Sequence, residues 1–422
     1  MASMTAPPKT VTIIGAGLGG LTLGLALNQR GIKPKFYELR PPTYDFGGAI
    51  MLSPNALRVL DGIGAYQRIV KEGFNFSTLT FINDDDHSEK LGTYYFGHEQ
   101  KYGYNALRIY RKTLLRILRE MTEEQGITIE YGKKFDKVIS EDETGVKFAF
   151  VDAVEDTAEV LIGADGIHSK VRQYIHPGIV AKYSGFIGVT FAVPKSKFNF
   201  PEGFPLPVSL QGKAGSFVYA PQNADGNEIF VGRQFKYPLQ DRSGWDMLLK
   251  EKTELIQLHQ ADMNDWSELV QQGQRQASEP ETHSMSIWPF HTVPKMEEWS
   301  SNTGRVIMTG DAAHAIPPTA GQGANQAFED ALCLAVVLSS LSPGLDLCSA
   351  VKIWQSYRQG RVDKVLELTN KMNSMRLSEA ERKLLPPEQI WHEDDGSSPE
   401  GQLGWLYLNN VEEDLRNEFA KV

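Results

Sequence analysis

The sequence has little cysteine, and what it has is not arranged for redox chemistry or metal binding. Only Cys333 and Cys348 occur among 422 residues, and they do not form a CxxC pair. A disulfide framework, a thiol redox motif or a zinc cluster needs more cysteines or closer ones. We therefore expect both to behave as small buried apolar side chains, and we predict no metal site.

Long hydrophobic runs and basic stretches are also lacking. The longest apolar runs, around Leu21 and from Ala331 to Leu341, are too short or too interrupted to cross a bilayer. The opening MASMTAPPKT does not resemble a secretory signal. The formal net charge of −10 is spread over many segments, which opposes nucleic-acid binding. We expect a cytoplasmic protein with no transmembrane segment and no nucleic-acid partner.

The sequence does contain a clear motif from Val11 to Leu27. Its pattern of apolar residues and glycines predicts a strand, a glycine turn and a helix. Within GAGLGG, Gly15 permits a tight turn, Gly17 lets backbone N–H groups approach a pyrophosphate, and Gly20 lets the helix pack closely on the strand. The next apolar strand ends in Glu38, about twenty residues beyond, where a carboxylate can bind ribose hydroxyls. This context predicts a dinucleotide site.

Two later segments also consist of an apolar strand that ends in a glycine-containing turn. In GADGIHSKVR, Asp165 follows one strand, and in GDAAHAIPPTAGQGAN, Asp311 follows another. Gly321 and Gly323 allow a backbone to approach a flat ligand closely. A helix that begins near Ala324 would direct its N–H groups at that ligand, which favours a reduced, anionic flavin.

Taken in order, GAGLGG with Glu38, GADGIHSKVR and GDAAHAIPPTAGQGAN resemble the single-component FAD-dependent monooxygenases of the para-hydroxybenzoate hydroxylase class. Salicylate hydroxylase-like and tetracycline-inactivating enzymes are similar. The resemblance covers about Val11 to Leu341 and implies bound FAD, with NAD(P)H and O2 as co-substrates. A flavin hydroperoxide would transfer one oxygen atom to a small hydrophobic or aromatic organic substrate, most simply by hydroxylation. Epoxidation and Baeyer–Villiger insertion stay open as alternative reactions. The sequence does not choose between NADH and NADPH, or between a monomer and a homodimer.

The resemblance implies an α/β fold class: a Rossmann-type FAD-binding domain interleaved with an antiparallel β-sheet substrate domain, followed by C-terminal helices. Hairpin and strand patterns in the sequence support the β-rich part. The predicted FAD-binding domain comprises residues 9–76, 108–180 and 291–342. The substrate domain comprises residues 77–107 and 181–290, and residues 343–422 form a C-terminal helical segment and tail.

The resemblance also implies roles for residues that contact FAD. Asp311 would lie at the ribityl or pyrophosphate region, and Asp165 would serve both FAD and NAD(P)H. Members of the family have an arginine that contacts FAD, and Arg111 matches it best, with Arg108 as the alternative. The family often has a basic residue directly after the ribose glutamate, whereas here Arg40 comes one position later. The full predicted set is Gly15, Ala16, Gly17, Leu18, Gly19, Gly20, Glu38, Arg40, Gly48, Ala49, Arg111, Asp165, Asp311, Gly323, Ala324 and Asn325.

Candidates for substrate contact lie mostly in the β-rich domain. Tyr219 and Arg233, on adjacent predicted strands, are the predicted catalytic residues, and Thr190 and Pro318 complete the predicted pocket. The arginine that many phenol hydroxylases carry in the first strand of this sheet is absent from the segment around Thr190. That absence weakens the case for a phenolate substrate. We expect His314 to form hydrogen bonds within its loop rather than to act as a base.

Other classes fit the sequence less well. A disulfide-reductase flavoprotein needs a redox cysteine pair, and a flavin-dependent halogenase would carry a WxWxIP stretch. A flavin-binding protein that sequesters a ligand without turnover stays open, and a scaffold protein would be colourless. An absorbance spectrum and an NAD(P)H-consumption assay discriminate among these alternatives.

Overall fold

The computed structural model describes residues 3–44, 48–279, 282–375, 382–393 and 400–421. Within these residues the strands are, in chain order, β1 (Thr10–Ile14), β2 (Lys33–Glu38), β3 (Ala49–Leu52), β4 (Phe74–Phe76), β5 (Thr78–Asn83), β6 (Lys90–Tyr95), β7 (Ala106–Tyr110), β8 (Thr128–Tyr131), β9 (Phe135–Glu141), β10 (Val146–Phe150), β11 (Glu155–Ala158), β12 (Leu161–Gly163), β13 (Lys182–Pro194), β14 (Val208–Gly212), β15 (Gly215–Pro221), β16 (Glu228–Lys236), β17 (His283–Thr292) and β18 (Val306–Met308).

The α-helices of the same residues are α1 (Leu18–Gln29), α2 (Pro54–Gly62), α3 (Tyr66–Ile69), α4 (Glu99–Tyr102), α5 (Arg111–Glu124), α6 (Lys170–Ile175), α7 (Arg242–Glu251), α8 (Thr253–Gln260), α9 (Glu268–Gln276), α10 (Asp311–His314), α11 (Gly323–Ser339), α12 (Leu347–Ser374), α13 (Gly404–Tyr407) and α14 (Val411–Phe419). No helix in the described ranges is long and apolar enough to span a membrane.

A parallel sheet of five strands, in the order β18-β12-β1-β2-β8, carries the dinucleotide motif. Its central strand β1 is buried from Val11 to Ile14, as the β-branched residues there predict. The helices α1 and α11 contribute to the same hydrophobic core. Parallel strands end at a common edge, and ligands bind in the crevice outside it. The glycine turns after β1, β12 and β18 and the carboxylate of Glu38 therefore lie at one edge.

A second sheet of seven strands, in the order β17-β13-β16-β15-β14-β5-β6, forms the β-rich part. Its pairs are antiparallel except for β14 and β5, which run parallel. One face packs on α7, α8 and α9 through a separate core that includes Val189 and Phe191 of β13. Smaller sheets, β11-β10-β9 and β3-β7-β4, complete the architecture. The predicted fold class is confirmed.

The sequence of the β-rich part predicts one helical insert from about Gly244 to Val270, and the structure differs from this prediction. The chain forms α7, α8 and α9 instead, and the breaks fall at Lys252 and Asp262, whose φ angles are 54° and 56°. Positive φ cannot continue a right-handed helix. The three short helices can therefore each lie along the twisted sheet.

The acidic hairpin tip after β5 has the sequence of a solvated turn from Asp84 to Asp86, and Asp85 and Asp86 are exposed, whereas Asp84 is buried. Asp84 is 2% exposed, and its carboxylate accepts hydrogen bonds from the backbone N–H and hydroxyl of Ser267 at 2.7 and 2.6 Å. It thereby ties the hairpin to the start of α9. Within the described residues, no group of three or more histidine, cysteine, aspartate and glutamate side chains could hold a metal ion.

Candidate active site

The glycine turn after β1 has the geometry that a pyrophosphate needs. Gly15 has φ 105°, and a Cβ there would lie 2.4 Å from the carbonyl oxygen of Ala164. A Cβ on Gly20 would lie 2.2 Å from the carbonyl oxygen of Gly15. A Cβ on Gly17, by contrast, would meet no heavy atom within 4 Å. The turn is therefore tightly packed on the sheet side and open at the start of α1, where an anion is favoured.

Glu38 is brought to this turn by the pairing of β2 with β1. Its carboxylate accepts hydrogen bonds from the backbone N–H groups of Ala16 and Arg40, each at 2.7 Å. The guanidinium carbon of Arg40 lies 4.2 Å from the ring centre of Tyr44. The predicted ribose carboxylate and the glycine turn thus lie at the same corner.

The three glycine-containing segments meet in space. A Cβ on Gly19 would lie 3.3 Å from the Cβ of Ala327 in α11, and a Cβ on Gly310 would lie 3.2 Å from that same atom. The contact between Gly15 and Ala164 joins the middle segment to this cluster. Segments from the beginning, middle and last quarter of the chain therefore surround one crevice.

Asp165 supplies one group in this region that lacks a partner. Its Oδ2 accepts hydrogen bonds from the backbone N–H groups of Lys170 and Val171 at 2.7 and 3.3 Å. Its Oδ1 is buried and accepts no hydrogen bond from any part of the chain that the structure describes. Burial raises the pKa of this carboxyl. A buried acceptor without a donor is costly, and a donor on a ligand would satisfy it.

Arg111 and Asp311 lie close enough for their charges to interact. Arg111 begins α5, donates its backbone N–H to the carbonyl oxygen of Gly48 at 3.1 Å, and has its guanidinium carbon 5.4 Å from the ring centre of Trp288. Burial lowers the pKa of Arg111, and the negative charge of Asp311 acts in the opposite direction. Asp311 itself is exposed. Ala49, paired with Tyr110 in the neighbouring strand, lies beside this pair.

The start of α11 presents the other predicted cofactor residues. A Cβ on Gly323 would meet no heavy atom within 4 Å. The Asn325 side chain is buried, accepts a hydrogen bond from the backbone N–H of Ser53 at 3.2 Å and donates one to the carbonyl oxygen of Met51 at 3.1 Å. Contacts from Asn325 to a flavin would therefore come from its backbone. Pro318 is exposed and begins a short turn, Pro318–Ala320, just before this helix.

The predicted catalytic residues of the sheet, Tyr219 and Arg233, lie on the face away from this crevice. Tyr219 is paired with Val231 and Arg233 with Val189, so both share the face that α7, α8 and α9 cover. The Tyr219 hydroxyl donates to the carbonyl oxygen of Leu269 at 2.8 Å.

The Arg233 guanidinium donates to the carbonyl oxygens of Ala214 and Ala261 at 3.0 and 3.2 Å. It also lies over the ring of Trp266. The interpretation of Tyr219 and Arg233 as substrate contacts is therefore corrected, because side chains alternate between faces and the predicted strands did not reveal which face the helices cover.

Thr190 lies on the opposite face of the same sheet. It is paired with Gly232 on one side and with Ser286 on the other. Trp288, two residues along β17, shares that face, is 38% exposed and contacts Arg111. This face is therefore the one that turns toward the crevice.

Arg172 is one residue of this region that the sequence reasoning missed. It is 1% exposed, and it donates to the carbonyl oxygens of Ile167 and Ala312 at 2.6 and 2.9 Å. It thus ties the middle segment to the last. The final arginine of GADGIHSKVR is the signal that could have identified it. The turn-forming residues that precede Ala49 predict a loop over the cofactor, but three of them, Asp45, Phe46 and Gly47, fall outside the described residues.

Residues 9–369 match the family model described as FAD binding domain, and the chain belongs to this family. It is 27% identical to the 6-hydroxynicotinate 3-monooxygenase of Bordetella bronchiseptica, over 87% of this chain and 92% of the relative. It is 25% identical to Notoamide E oxidase notB of an Aspergillus species, over 97% and 89%.

Solved structures show the same fold. The crystal structure of CtdE in complex with FAD and substrate 4 superposes with a TM-score of 0.77 at 21% identity, covering 98% of both chains. Klebsiella pneumoniae HpxO complexed with FAD and uric acid gives 0.71 at 22% identity, covering 89% of this chain and 90% of HpxO. The predicted class, an FAD-dependent monooxygenase with FAD as its cofactor and NAD(P)H as co-substrate, is confirmed.

Proposed function

We propose that the protein uses NAD(P)H and O2 to hydroxylate a small aromatic substrate, which binds between the seven-stranded sheet and the segment from Gly310 to Gly323. The observation that carries the proposal is the convergence of three glycine segments on Ala327 and Gly15, with open space at Gly17 and Gly323. A flat dinucleotide with a pyrophosphate fits such a crevice. When bound, FAD supplies the activation of dioxygen for transfer of one oxygen atom.

The chain's own groups would bind and orient the cofactor. N–H groups at the start of α1 would hold the pyrophosphate, and Glu38 would exchange its present backbone donors for ribose hydroxyls. Arg111 and Asp311 would contact the same molecule from neighbouring positions. The unpartnered Oδ1 of Asp165 would accept a hydrogen bond from a ligand or from a water that the ligand orders.

The substrate would bind against the face of the sheet that carries Thr190 and Trp288. Several relatives are named for aromatic substrates, among them 6-hydroxynicotinate and 3-amino-4-hydroxybenzoate. Trp288 offers an exposed aromatic surface, and Thr190 with Ser286 offers hydroxyl groups. Sheet and loop together would exclude water from the reacting atoms.

The proposal also includes the domain boundaries that the sequence predicts. It places the protein in the cytoplasm, as a monomer or a homodimer.

The experiment is an absorbance spectrum of the purified protein, followed by NAD(P)H consumption in air with a panel of aromatic compounds. We expect a yellow protein whose NAD(P)H consumption rises with a substrate and yields a product heavier by one oxygen atom. The structure of that product discriminates hydroxylation from epoxidation and Baeyer–Villiger insertion. A yellow protein that no ligand makes consume NAD(P)H would favour the sequestration alternative, and a colourless one would refute the proposal.

A matched pair of variants tests the assignment of the acidic residue beside Arg111. Asp311→Ala removes an exposed carboxylate, so the fold should persist while FAD affinity falls about tenfold or more. Asp363→Ala is the control. It removes a carboxylate of α12 that pairs with Lys295 at the surface, and it should leave FAD affinity unchanged. Equal FAD affinity in both variants would remove Asp311 from the site.

A further inference from the structure

A cluster of buried charged side chains lies behind the loop from Gly310 to Gly323. Glu329 and Asp330 of α11 and Arg358 of α12 are 0% exposed, and Arg361 is 6% exposed. Arg358 pairs with both carboxylates, and Arg361 pairs with Glu329 at 2.8 Å. Such groups are rarely buried unless they are paired, and pairing them seldom adds much stability over apolar packing. A reason other than stability can therefore account for the cluster.

Asp330 is the member that contacts the loop. Its Oδ2 accepts a hydrogen bond from the backbone N–H of Gly310 at 3.0 Å and lies 2.5 Å from Nε2 of His314. Its Oδ1 accepts one from Nε of Arg358 at 2.7 Å. Burial acts to raise the pKa of Asp330, but the charges of His314 and Arg358 outweigh it and hold the pKa well below its usual range. The carboxylate thus stays charged, with both oxygens engaged.

The hydrogen bond to Gly310 falls at the point where the loop changes direction. Gly310 has φ 61° and ψ −139°, and a Cβ there would press on Ala327 at 3.2 Å. The next residue is Asp311, which is exposed and whose negative charge acts on Arg111. Asp330 therefore holds both ends of the short helix α10, at Gly310 and at His314. The direction of the Asp311 carboxylate follows from that restraint.

Glu329 extends the cluster to α2 and to the C-terminal segment. Its Oε1 accepts hydrogen bonds from Asn55 at 2.7 Å and from Arg361 at 2.9 Å. Arg361 also donates to the carbonyl oxygens of Trp405 and Leu406 at 3.1 and 3.2 Å. The C-terminal segment is in this way joined to the same helix that anchors the loop.

We propose that Asp330 is a positioning residue of the flavin site, which fixes the turn at Gly310 and His314 so that Asp311 is presented to the cofactor. Arg358 supplies the buried opposite charge that Asp330 requires. The inference rests on the proposed function for the identity of the cofactor. Asp330 acts through the loop, since both of its oxygens are already engaged.

The test is Asp330→Asn, which keeps the shape of the side chain and removes its charge. In the apoprotein, hydrogen exchange of the backbone amides from 310 to 323 should rise about tenfold or more, because an anchoring acceptor is lost. The dissociation constant of FAD, measured by quenching of flavin fluorescence on reconstitution, should rise by a similar factor. Both readouts are normalised to folded protein, judged by circular dichroism.

Asp84→Asn is the matched control. Asp84 also has a buried carboxylate that accepts a backbone N–H and a side-chain hydrogen, but its partner is Ser267 at the start of α9. Its loss should lower the melting temperature without changing FAD affinity or exchange in residues 310–323. If the two variants lose melting temperature alike and neither changes FAD affinity or loop exchange, Asp330 has only a structural role and the inference fails.

A second variant covers the case in which Asp330→Asn does not fold. His314→Gln removes the imidazole that contacts Asp330 but leaves the buried pair with Arg358 intact. It should increase exchange in the same loop by a smaller factor. Unchanged exchange in this variant would also overturn the inference. Because the exchange measurement uses the apoprotein, it gives a result even if the wild type binds no FAD, an outcome that would refute the proposed function separately.

Discussion

The glycine turn before α1 and the seven-stranded sheet face the same crevice, but they contribute to it in different ways. At the turn, the backbone forms the site, and an added methyl group would press on other backbone atoms at Gly15 or Gly20. On the sheet, side chains form the site, and successive residues such as Thr190 and Phe191 face opposite layers. The cofactor half is therefore fixed by main-chain geometry, whereas the substrate half can change residue by residue without altering the fold.

The strongest test of this comparison is the pair Gly20→Ala and Gly17→Ala. A Cβ on Gly20 would lie 2.2 Å from a carbonyl oxygen, so that variant should lose about 3 kcal/mol of stability. A Cβ on Gly17 meets nothing within 4 Å, so the apoprotein should change by less than about 0.5 kcal/mol. The FAD affinity of Gly17→Ala should nevertheless fall about tenfold, since the methyl group would occupy pyrophosphate space.

Thermal unfolding of the apoprotein measures the stability of both variants, and FAD titration measures their affinity for the cofactor. Unimpaired FAD binding by Gly17→Ala would show that the turn is not the pyrophosphate site.

The covered face of the sheet should produce a pH dependence of stability that the glycine turn does not. His259 of α8 is 0% exposed, lies 4.8 Å from the Phe191 ring and has two ring nitrogens without hydrogen-bond partners among the described residues. Burial lowers its pKa from 6.5 to about 3. Between those values the unfolded chain binds a proton that the folded chain does not, so stability is full above pH 6.5 and falls as the pH drops. The loss at pH 5 should be about 2 kcal/mol.

His259→Phe removes the titrating group from this aromatic environment. The wild type should therefore lose about 2 kcal/mol more stability than this variant when the pH falls from 7.5 to about 5. Denaturant unfolding of both proteins at the two pH values measures the difference directly. The slope with pH is the relevant quantity, because the substitution also changes packing. Equal slopes would mean that His259 is hydrated or paired in solution.

The two regions also differed in how far the sequence predicted them. The glycine turn, Glu38 and the convergence of three segments could be predicted because each motif is contiguous and its chemistry follows from residue type. The faces of the sheet could not, since Tyr219 and Thr190 both lie in short apolar runs and only the pairing register separates them. The buried pair of Asp330 and Arg358 was missed for a related reason. It joins two helices, and neither helix carries a local signal for the other.

The finest test concerns the two faces themselves, through Tyr219→Phe and Thr190→Val. Tyr219→Phe leaves the Leu269 carbonyl oxygen without its donor, so it should cost about 1 kcal/mol of stability and leave kcat and KM unchanged. Thr190→Val keeps the side-chain shape on the half-buried face paired with Gly232 and Ser286, and should change stability by less than about 0.5 kcal/mol. It should instead raise KM for a substrate that forms a hydrogen bond with the Thr190 hydroxyl. If Tyr219→Phe altered KM and Thr190→Val did not, the substrate would lie on the side covered by α7, α8 and α9.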